Sequence, residues 1–208
     1  ERFTMDDELS DTVKKVFIEL FDNKLIFKEK RLINWDVKLQ TAVSDLEVEN
    51  KDVNGFLYFI KYPFKKNKGS YITIATTRPE TMLGDTGIAV HPKDKRFKKF
   101  HNDTVILPIL EKEIPLVLDE HADPEKGSGA VKITPAHDFN DFEVGTRHKL
   151  KLINIFDNEG KLNELNPKEF QGLDRLKARE KILEVLNNKG LLEKKEQYKY
   201  TVPYGDRS

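Results

Sequence analysis

Apolar residues recur every three or four positions near the start of the 208-residue chain, between residues 9 and 21. This spacing is typical of an amphipathic helix. We expect the helix to begin near Asp6 or Asp7 and to end near Asn23. The residues from there to 54 show no clear period, so we interpret 1–54 as an N-terminal arm or linker.

Beyond residue 54, apolar and polar positions alternate in short runs, which is the period of half-buried strands. The predicted strands are residues 56–60, 71–76, 87–91, 104–110, 113–118 and 152–156. Asn54 and Gly55 form a turn signal before the first strand. Helices are expected over 139–149 and over about 173–186, with Gly190 at the C-terminal cap. This order predicts an α+β protein with a compact, mostly antiparallel β-barrel core and peripheral helices.

The chain is densest in reactive side chains between residues 127 and 141. Residues 130–134 alternate as in a strand, so Lys132 and Thr134 point to the same side. Pro135 cannot donate to a sheet ladder and should end the strand. Asp138 then suits a helix N-cap, and Asp141 lies three residues on, beside the same turn. The four side chains can converge on one polar pocket; the alternative is an ordinary capped helix preceded by a solvated lysine.

Residues 76–86 form a second cluster after the strand 71–76. Pro79 fits the first turn of a helix, which Gly84 can end one turn later. Such a short helix leaves backbone N–H groups aimed at a carbonyl or an oxyanion. Thr77, Arg78 and Thr81 would line this opening. The alternative is a connector whose threonines only cap the turn.

Composition excludes several classes of protein. The 36 basic residues balance the 36 acidic ones, so a general nucleic-acid coat is not supported. Without cysteine there is no disulfide scaffold and no thiolate metal site. The five histidines lack metal-ligand spacing, and neither a serine-nucleophile elbow nor a phosphate loop is present. Two basic runs, 65–68 and 93–99, are interpreted as solvated loops unless an RNA partner is implied on other grounds.

The two reactive clusters together resemble the editing domain of class I aminoacyl-tRNA synthetases. The motifs are residues 76–86 and 127–145, and the similarity extends over nearly the whole chain. The chain looks most like the valine branch, because isoleucine enzymes carry a histidine at the place of Lys132. Residues 31–36 and 202–207 look like the same branch. We expect a piece of a longer protein, in which 55–190 is the editing domain and 191–208 returns toward the catalytic domain.

The resemblance implies hydrolysis of threonine wrongly esterified to valine tRNA, an aminoacyl-tRNA deacylase activity within a valine–tRNA ligase. It implies catalytic roles for Lys132, Thr134, Asp138 and Asp141, with Asp141 holding the substrate α-ammonium group. The substrate-binding residues implied are Thr77, Arg78, Thr81, Asp85 and His137. Three alternatives stay open: the isoleucine branch, a module that binds the tRNA acceptor end without turnover, and a free-standing esterase of small amino esters.

The same resemblance implies that editing needs no cofactor and no metal, since ATP and magnesium serve only the absent synthetic domain. The expected partners are the tRNA acceptor end and the catalytic domain of the same full-length chain. Neither a membrane nor DNA is expected as a partner, and the expected location is the cytoplasm. All of this depends on one geometric expectation, that the turn around Arg78 and the two aspartates at 138 and 141 meet in space.

Overall fold

The computed structural model describes residues 3–101 and 103–205, and the chain divides into two units, Glu1–Arg31 and Leu32–Ser208. Of the quoted C-terminal motif, Asp206 and Arg207 lie outside the described residues. In the first unit the predicted helix is confirmed as α1, Asp7–Asp22. None of its residues is buried, and Phe17 is 59% exposed. The predicted boundaries at 54/55 and 190/191 stay predictions.

The second unit begins with a short hairpin, β1 (Asn34–Asp36) against β2 (Thr41–Val43). A three-stranded antiparallel sheet follows, in which β3 (Val48–Pro63) lies between β4 (Tyr71–Thr76) and the C-terminal strand β9 (Leu192–Gly205). β3 and β9 are paired along most of their length.

The turn predicted at Asn54 and Gly55 is wrong, because both residues lie inside β3 and pair with β9. Glycine is required there for a different reason. A Cβ built on Gly55 would lie 2.6 Å from Cε1 of Tyr200, so the ring packs over bare backbone.

The second sheet has four strands in the order β6, β7, β5, β8. The strands are β5 (Gly87–Val90), β6 (Thr104–Leu107), β7 (Lys112–Leu118) and β8 (Ala130–Ile133). Their pairing is antiparallel except for β5 with β7, which is parallel. The predicted hairpin between β6 and β7 is confirmed. One isolated bridge, Phe64 with Val105, joins the two sheets. The α+β, mainly antiparallel architecture is confirmed; the described strands do not form one closed ladder, so the barrel is not.

Two further helices are confirmed: α2 (Phe139–Arg147) and α3 (Arg175–Asn188). Gly190 follows α3 with φ +66°, the conformation that favours glycine beyond a helix end. The strand predicted over 152–156 is wrong. The backbone N–H of Ile155 donates to the His137 ring instead of to a ladder, and Phe156 forms only an isolated bridge with Leu162.

The core lies between the two sheets and α3. Its largest fully buried apolar side chains include Ile60, Ile72, Ile74, Ile88, Leu107, Phe170 and Ile182. Among the described residues, no helix combines the length and apolar character needed to cross a bilayer. Both reactive clusters are attached to this core, one after β4 and the other along and after β8.

Candidate functional site

The two sequence-distant clusters meet. The Arg78 Nη1 donates to the backbone carbonyl of His137 at 2.9 Å. The Lys132 Nζ donates to Oγ1 of Thr81 at 2.8 Å. The arginine–proline turn and the segment that carries the aspartates therefore form one site.

Lys132 is the centre of a buried polar network. It extends from β8, where it pairs with Ile88 of β5, and is only 7% exposed. Its ammonium lies 3.1 Å from Oδ1 of Asp85 and also donates to Thr134. Thr134 in turn donates to the same Asp85 oxygen at 2.6 Å. Ile133 is buried on one side of this strand, and the polar pair Lys132 and Thr134 is buried on the other.

The second oxygen of Asp85 is held by a residue that the sequence analysis missed. The Tyr62 hydroxyl donates to Oδ2 of Asp85 at 2.8 Å, and both side chains are buried. Burial raises the pKa of Asp85, while the Lys132 ammonium and the Thr134 and Tyr62 hydroxyls oppose this change. Burial and the nearby carboxylate raise the pKa of Tyr62 well above its usual value, so the hydroxyl stays a donor. An inward tyrosine in a strand needs a hydrogen-bond partner, and that signal could have indicated it.

The predicted N-cap at Asp138 is confirmed. Its Oδ1 accepts hydrogen bonds from the backbone N–H groups of Asn140 at 2.9 Å and of Asp141 at 3.2 Å. Both cap bonds use the same carboxylate oxygen. Asp138 is half-buried and adjoins Asp141 through this cap.

Asp141 lies one helical turn further on and is 7% exposed. Its Oδ2 accepts from the backbone N–H of Thr134 at 2.9 Å, which ties α2 to the end of β8. Its Oδ1 lies 4.0 Å from Nε2 of His121, a half-buried residue that the sequence analysis did not select. Burial raises the pKa of Asp141 to about 6, and the Lys132 ammonium offsets only part of that effect.

His137 is oriented by backbone contacts. Its Nε2 accepts from the N–H of Ile155 at 3.1 Å, and its ring packs edge-on against Phe156. Burial, together with the charges of Arg78 and Lys132, lowers the pKa of His137 to about 4. The ring is therefore neutral at pH 7, and one of its nitrogens is already used.

The turn after β4 has the residues predicted for it, in a 3₁₀ helix over Pro79–Gly84. The Thr76 hydroxyl accepts from the backbone N–H of Arg78, and the Thr81 hydroxyl donates to the carbonyl of Arg78. Thr81 thus caps the turn and also accepts from Lys132. Arg78 is exposed and Thr77 is half-buried. Thr81 therefore contacts both its own turn and the second cluster, and its role in substrate binding stays a prediction.

Two ion pairs outside the site hold its elements in place. Glu80, only 3% exposed, accepts two hydrogen bonds of 2.8 Å from Arg179, which fixes the 3₁₀ helix to α3. Asp119 accepts from Arg147 at 2.9 Å and from the backbone N–H of His121 at 2.9 Å. Burial acts to raise the pKa of Asp119, but the Arg147 guanidinium helps to hold that pKa well below its usual value.

An ammonium, two hydroxyls and three carboxylates thus converge here. No group of three or more His, Cys, Asp or Glu side chains among the described residues could hold a metal ion. The arrangement can bind an amine through a carboxylate and a hydroxyl through Lys132 and Thr134, and it can orient a water.

Comparison with known proteins decides the family. The family described as tRNA synthetases class I (I, L, M and V) matches residues 1–201. The chain belongs to the class I tRNA synthetases.

The most similar relatives point to one branch of this family. A valine–tRNA ligase of Pelagibacter ubique is 57% identical over 206 residues, which are 99% of this chain and 23% of that protein. A valine–tRNA ligase of Mesorhizobium japonicum is 53% identical over 100% of this chain and 25% of its own length. The chain thus spans about a quarter of these relatives. The resemblance to the valine branch is confirmed, and the isoleucine alternative finds no support.

A solved structure agrees on the fold. The ternary complex LeuRS-tRNA-LeuAMS from Agrobacterium radiobacter K84 matches with a TM-score of 0.53, over 95% of this chain and 33% of that chain. Sequence identity is 16%, so this likeness concerns the fold alone.

Proposed function

We propose that this chain edits mischarged tRNA by hydrolysing the ester bond of threonine attached to valine tRNA. The observation that carries the proposal is the meeting of the Arg78 turn with the Lys132–Thr134–Asp141 segment in one polar site. The valine–tRNA ligase relatives support the substrate.

The chemical need for such a site follows from the shapes of the two amino acids. Threonine and valine are near-isosteres, and an apolar pocket rejects an isostere with an added hydroxyl only weakly, a limit usually illustrated with the valine enzyme itself. A second site that hydrogen-bonds the hydroxyl can refuse valine strongly, because valine leaves buried polar groups unpaired. The Lys132–Thr134–Asp85 network supplies such groups.

Each side chain has a proposed role. Asp141 binds the α-ammonium group of the substrate, since its carboxylate is mostly ionised at pH 7 with a pKa of about 6. Lys132 and Thr134 recognise the threonine hydroxyl, with Asp85 and Thr81 holding them. These roles place the substrate hydroxyl beside the only buried ammonium of the site.

Asp138, whose two cap bonds go to Oδ1, positions the attacking water with its other oxygen. Arg78 and Thr77, at the rim, bind the terminal adenosine and the ester, and His137 shapes this rim as a neutral ring. The hydrolysis needs no cofactor, because an oriented water and stabilisation of the developing oxyanion suffice for an activated ester.

The test is deacylation of threonyl-tRNA(Val) and of valyl-tRNA(Val) by the protein. We expect hydrolysis of the threonyl ester and little hydrolysis of the valyl ester. Binding of both RNAs without turnover would contradict the proposal and favour a docking module. Equal hydrolysis of a free threonine ester and of the tRNA ester would instead indicate a general esterase.

A matched pair of variants separates loss of chemistry from loss of folding. Asp138→Asn keeps a cap acceptor but removes the charge, whereas Asp174→Asn makes the same change at the N-cap of α3, away from the site. We expect only Asp138→Asn to lose activity, and both variants to unfold at similar urea concentrations.

A further inference from the structure

The two basic runs of the sequence lie side by side in the structure. Asp103 accepts from the backbone N–H of Lys66 at 3.0 Å and from the side chain of Asn67 at 2.6 Å, which ties the 64–68 loop to the segment before β6. The ring of Phe64 stacks on that of Phe100 with centroids 4.0 Å apart. The first basic run is therefore fixed against the C-terminal end of the segment that carries the second run.

This surface concentrates positive charge in a neutral protein. Residues 64–68 and 93–103 contain eight Lys or Arg residues and two aspartates, whereas the whole chain balances 36 against 36. Both aspartates are buried and used internally, since Asp94 binds Arg96 at 2.6 Å and Asp103 binds the loop. The exposed lysines of these segments are Lys65, Lys66, Lys68, Lys93, Lys95, Lys98 and Lys99, which we call the basic surface; Arg96 is also exposed but is paired with Asp94.

One lysine of this surface, Lys65, forms an ion pair with Glu113 at 2.5 Å. Lys93, Lys95 and Lys98 are exposed, and none of them forms an ion pair with an acidic residue in the described part of the chain. Positive charges on one surface repel one another, and a bound polyanion neutralises them while its own condensed counterions are released into solution.

The basic surface is connected to the candidate site through β8. Arg96 donates to the carbonyl of Pro124 at 2.9 Å, in the loop that leads into β8. A surface hollow lies between residues 91–96 and 124–125. β8 pairs with β5 from Ala130 to Ile133, so the surface and the site lie at opposite ends of a strand of roughly 13 Å.

We propose that the basic surface binds backbone phosphates of the tRNA whose acceptor end enters the site. This inference rests on the proposed function for the identity of the RNA. Lysine ammonium groups act as point charges toward phosphate, and an open row of them suits a backbone that passes over the surface. RNA is favoured over an acidic protein because the family acts on tRNA and because none of the described residues in 64–68 and 93–103 is an exposed large apolar side chain.

The experiment compares two triple variants of the protein. The first is Lys93→Glu, Lys95→Glu and Lys98→Glu. The matched control is Lys38→Glu, Lys151→Glu and Lys168→Glu, which reverses three equally exposed lysines that also lack an ion pair to a described residue. Affinity for valine tRNA is measured by fluorescence anisotropy over a series of salt concentrations, and hydrolysis is measured on threonyl-adenosine, an ester too short to reach the surface.

We expect the first variant to bind tRNA at least about tenfold more weakly at 0.1 M salt, with the slope of log K against log salt smaller by roughly 2 to 3. The control should change affinity less than about twofold, and both should hydrolyse threonyl-adenosine at the wild-type rate. Equal losses in the two variants, or no tRNA binding by the wild type, would overturn the inference. The first variant could lose tRNA binding selectively while the wild type hydrolyses no ester. That result would support the role of the basic surface and would reject only the proposed function.

Discussion

The Tyr62 hydroxyl donates a 2.8 Å hydrogen bond to Oδ2 of Asp85, and both groups are buried beneath the candidate site. The other oxygen of the same carboxylate accepts from Lys132 and Thr134. Tyr62 therefore orients Asp85, and Asp85 orients the two groups that we propose to recognise threonine. A residue from β3, outside both reactive clusters, thus takes part in positioning the site.

Replacing Tyr62 by Phe should weaken both folding and editing. The change leaves a buried carboxylate oxygen without its donor, so the free energy of unfolding should fall by about 1–3 kcal/mol. Discrimination between the threonyl and valyl esters should also fall, since Lys132 and Thr134 lose their fixed position. Urea unfolding and the ratio of kcat/KM for the two esters measure the two effects.

Tyr58→Phe is the matched control for that substitution. Tyr58 lies on the same strand and is 5% exposed, but its hydroxyl forms no side-chain hydrogen bond with any described residue. We expect Tyr58→Phe to lower the free energy of unfolding by less than about 0.5 kcal/mol and to leave discrimination between the threonyl and valyl esters unchanged. If the two variants behave alike, Tyr62 is not a positioning residue.

Editing should become slower at acid pH, because protonation of Asp141 removes the charge that we propose to bind the substrate ammonium. If its carboxylate holds the substrate ammonium, kcat/KM for threonyl-tRNA should decrease as the pH falls through about 6, the raised pKa of this group. His121 lies 4.0 Å from Asp141, so His121→Asn is the control for any contribution of that ring. The decrease should persist in His121→Asn and should be absent from the small residual rate of Asp141→Asn. A flat profile between pH 5 and 7.5 would contradict the role of Asp141.

The same pKa predicts how stability depends on pH. A carboxyl with a pKa raised by folding binds its proton more tightly in the native state, so its contribution decreases as the pH rises from about 4 to about 6. The ionised form costs on the order of 2–3 kcal/mol above that window. Asp141→Asn keeps an acceptor for the N–H of Thr134 and should raise the free energy of unfolding at pH 7 but not at pH 4. Urea titrations of both proteins at pH 4 and pH 7 test this, and an equal difference at the two pH values would count against it.

Lys132 should be needed for stability as well as for chemistry. Lys132→Met leaves Asp85 buried without its counter-charge, which typically costs about 3–5 kcal/mol. The double variant Lys132→Met with Asp85→Asn removes both charges and should recover more than half of that loss, while editing stays absent in both. Urea unfolding and threonyl-tRNA deacylation of the two variants are the measurements. If the double variant has no higher free energy of unfolding than Lys132→Met, the stability that Lys132 provides does not come from its pairing with Asp85.

The sequence predicted the elements whose signals are local. Asp138 could be placed as an N-cap because capping needs only its own helix, and Gly190 because a helix end favours a left-handed glycine. The turn predicted at Gly55 was wrong because glycine is needed there for a long-range reason, the Tyr200 ring on the neighbouring strand. Residues 152–156 have the pattern of a strand, but the side chain of His137 takes the N–H that a ladder would need.

The residues of the candidate site also divide into those with a local sequence signal and those without one. Lys132, Thr134, Asp138 and Asp141 could be grouped from strand and helix periodicity. The Arg78 turn was marked by its own residues, and the resemblance joined the two clusters. Tyr62 and His121 came from other elements and could not be joined to them, because nothing local in a sequence says which side chains oppose each other across a core. The closed barrel is not confirmed for a related reason, since strand count does not determine which edges pair.

Arg179 should affect the rate of editing by positioning the 3₁₀ helix, without contacting the substrate. Its guanidinium makes two 2.8 Å hydrogen bonds to buried Glu80, next to Thr81 in the 3₁₀ helix. Arg179→Ala would leave the Glu80 charge unpaired and release this helix from α3, so we expect a loss of about 3–5 kcal/mol in stability and a fall in kcat. Arg179→Lys keeps the charge but not the paired geometry, and it should restore most of the stability but only part of kcat. Urea unfolding and steady-state deacylation of threonyl-tRNA at 25 °C distinguish the two variants, and full kcat in Arg179→Ala would show that the position of the 3₁₀ helix does not depend on this pair.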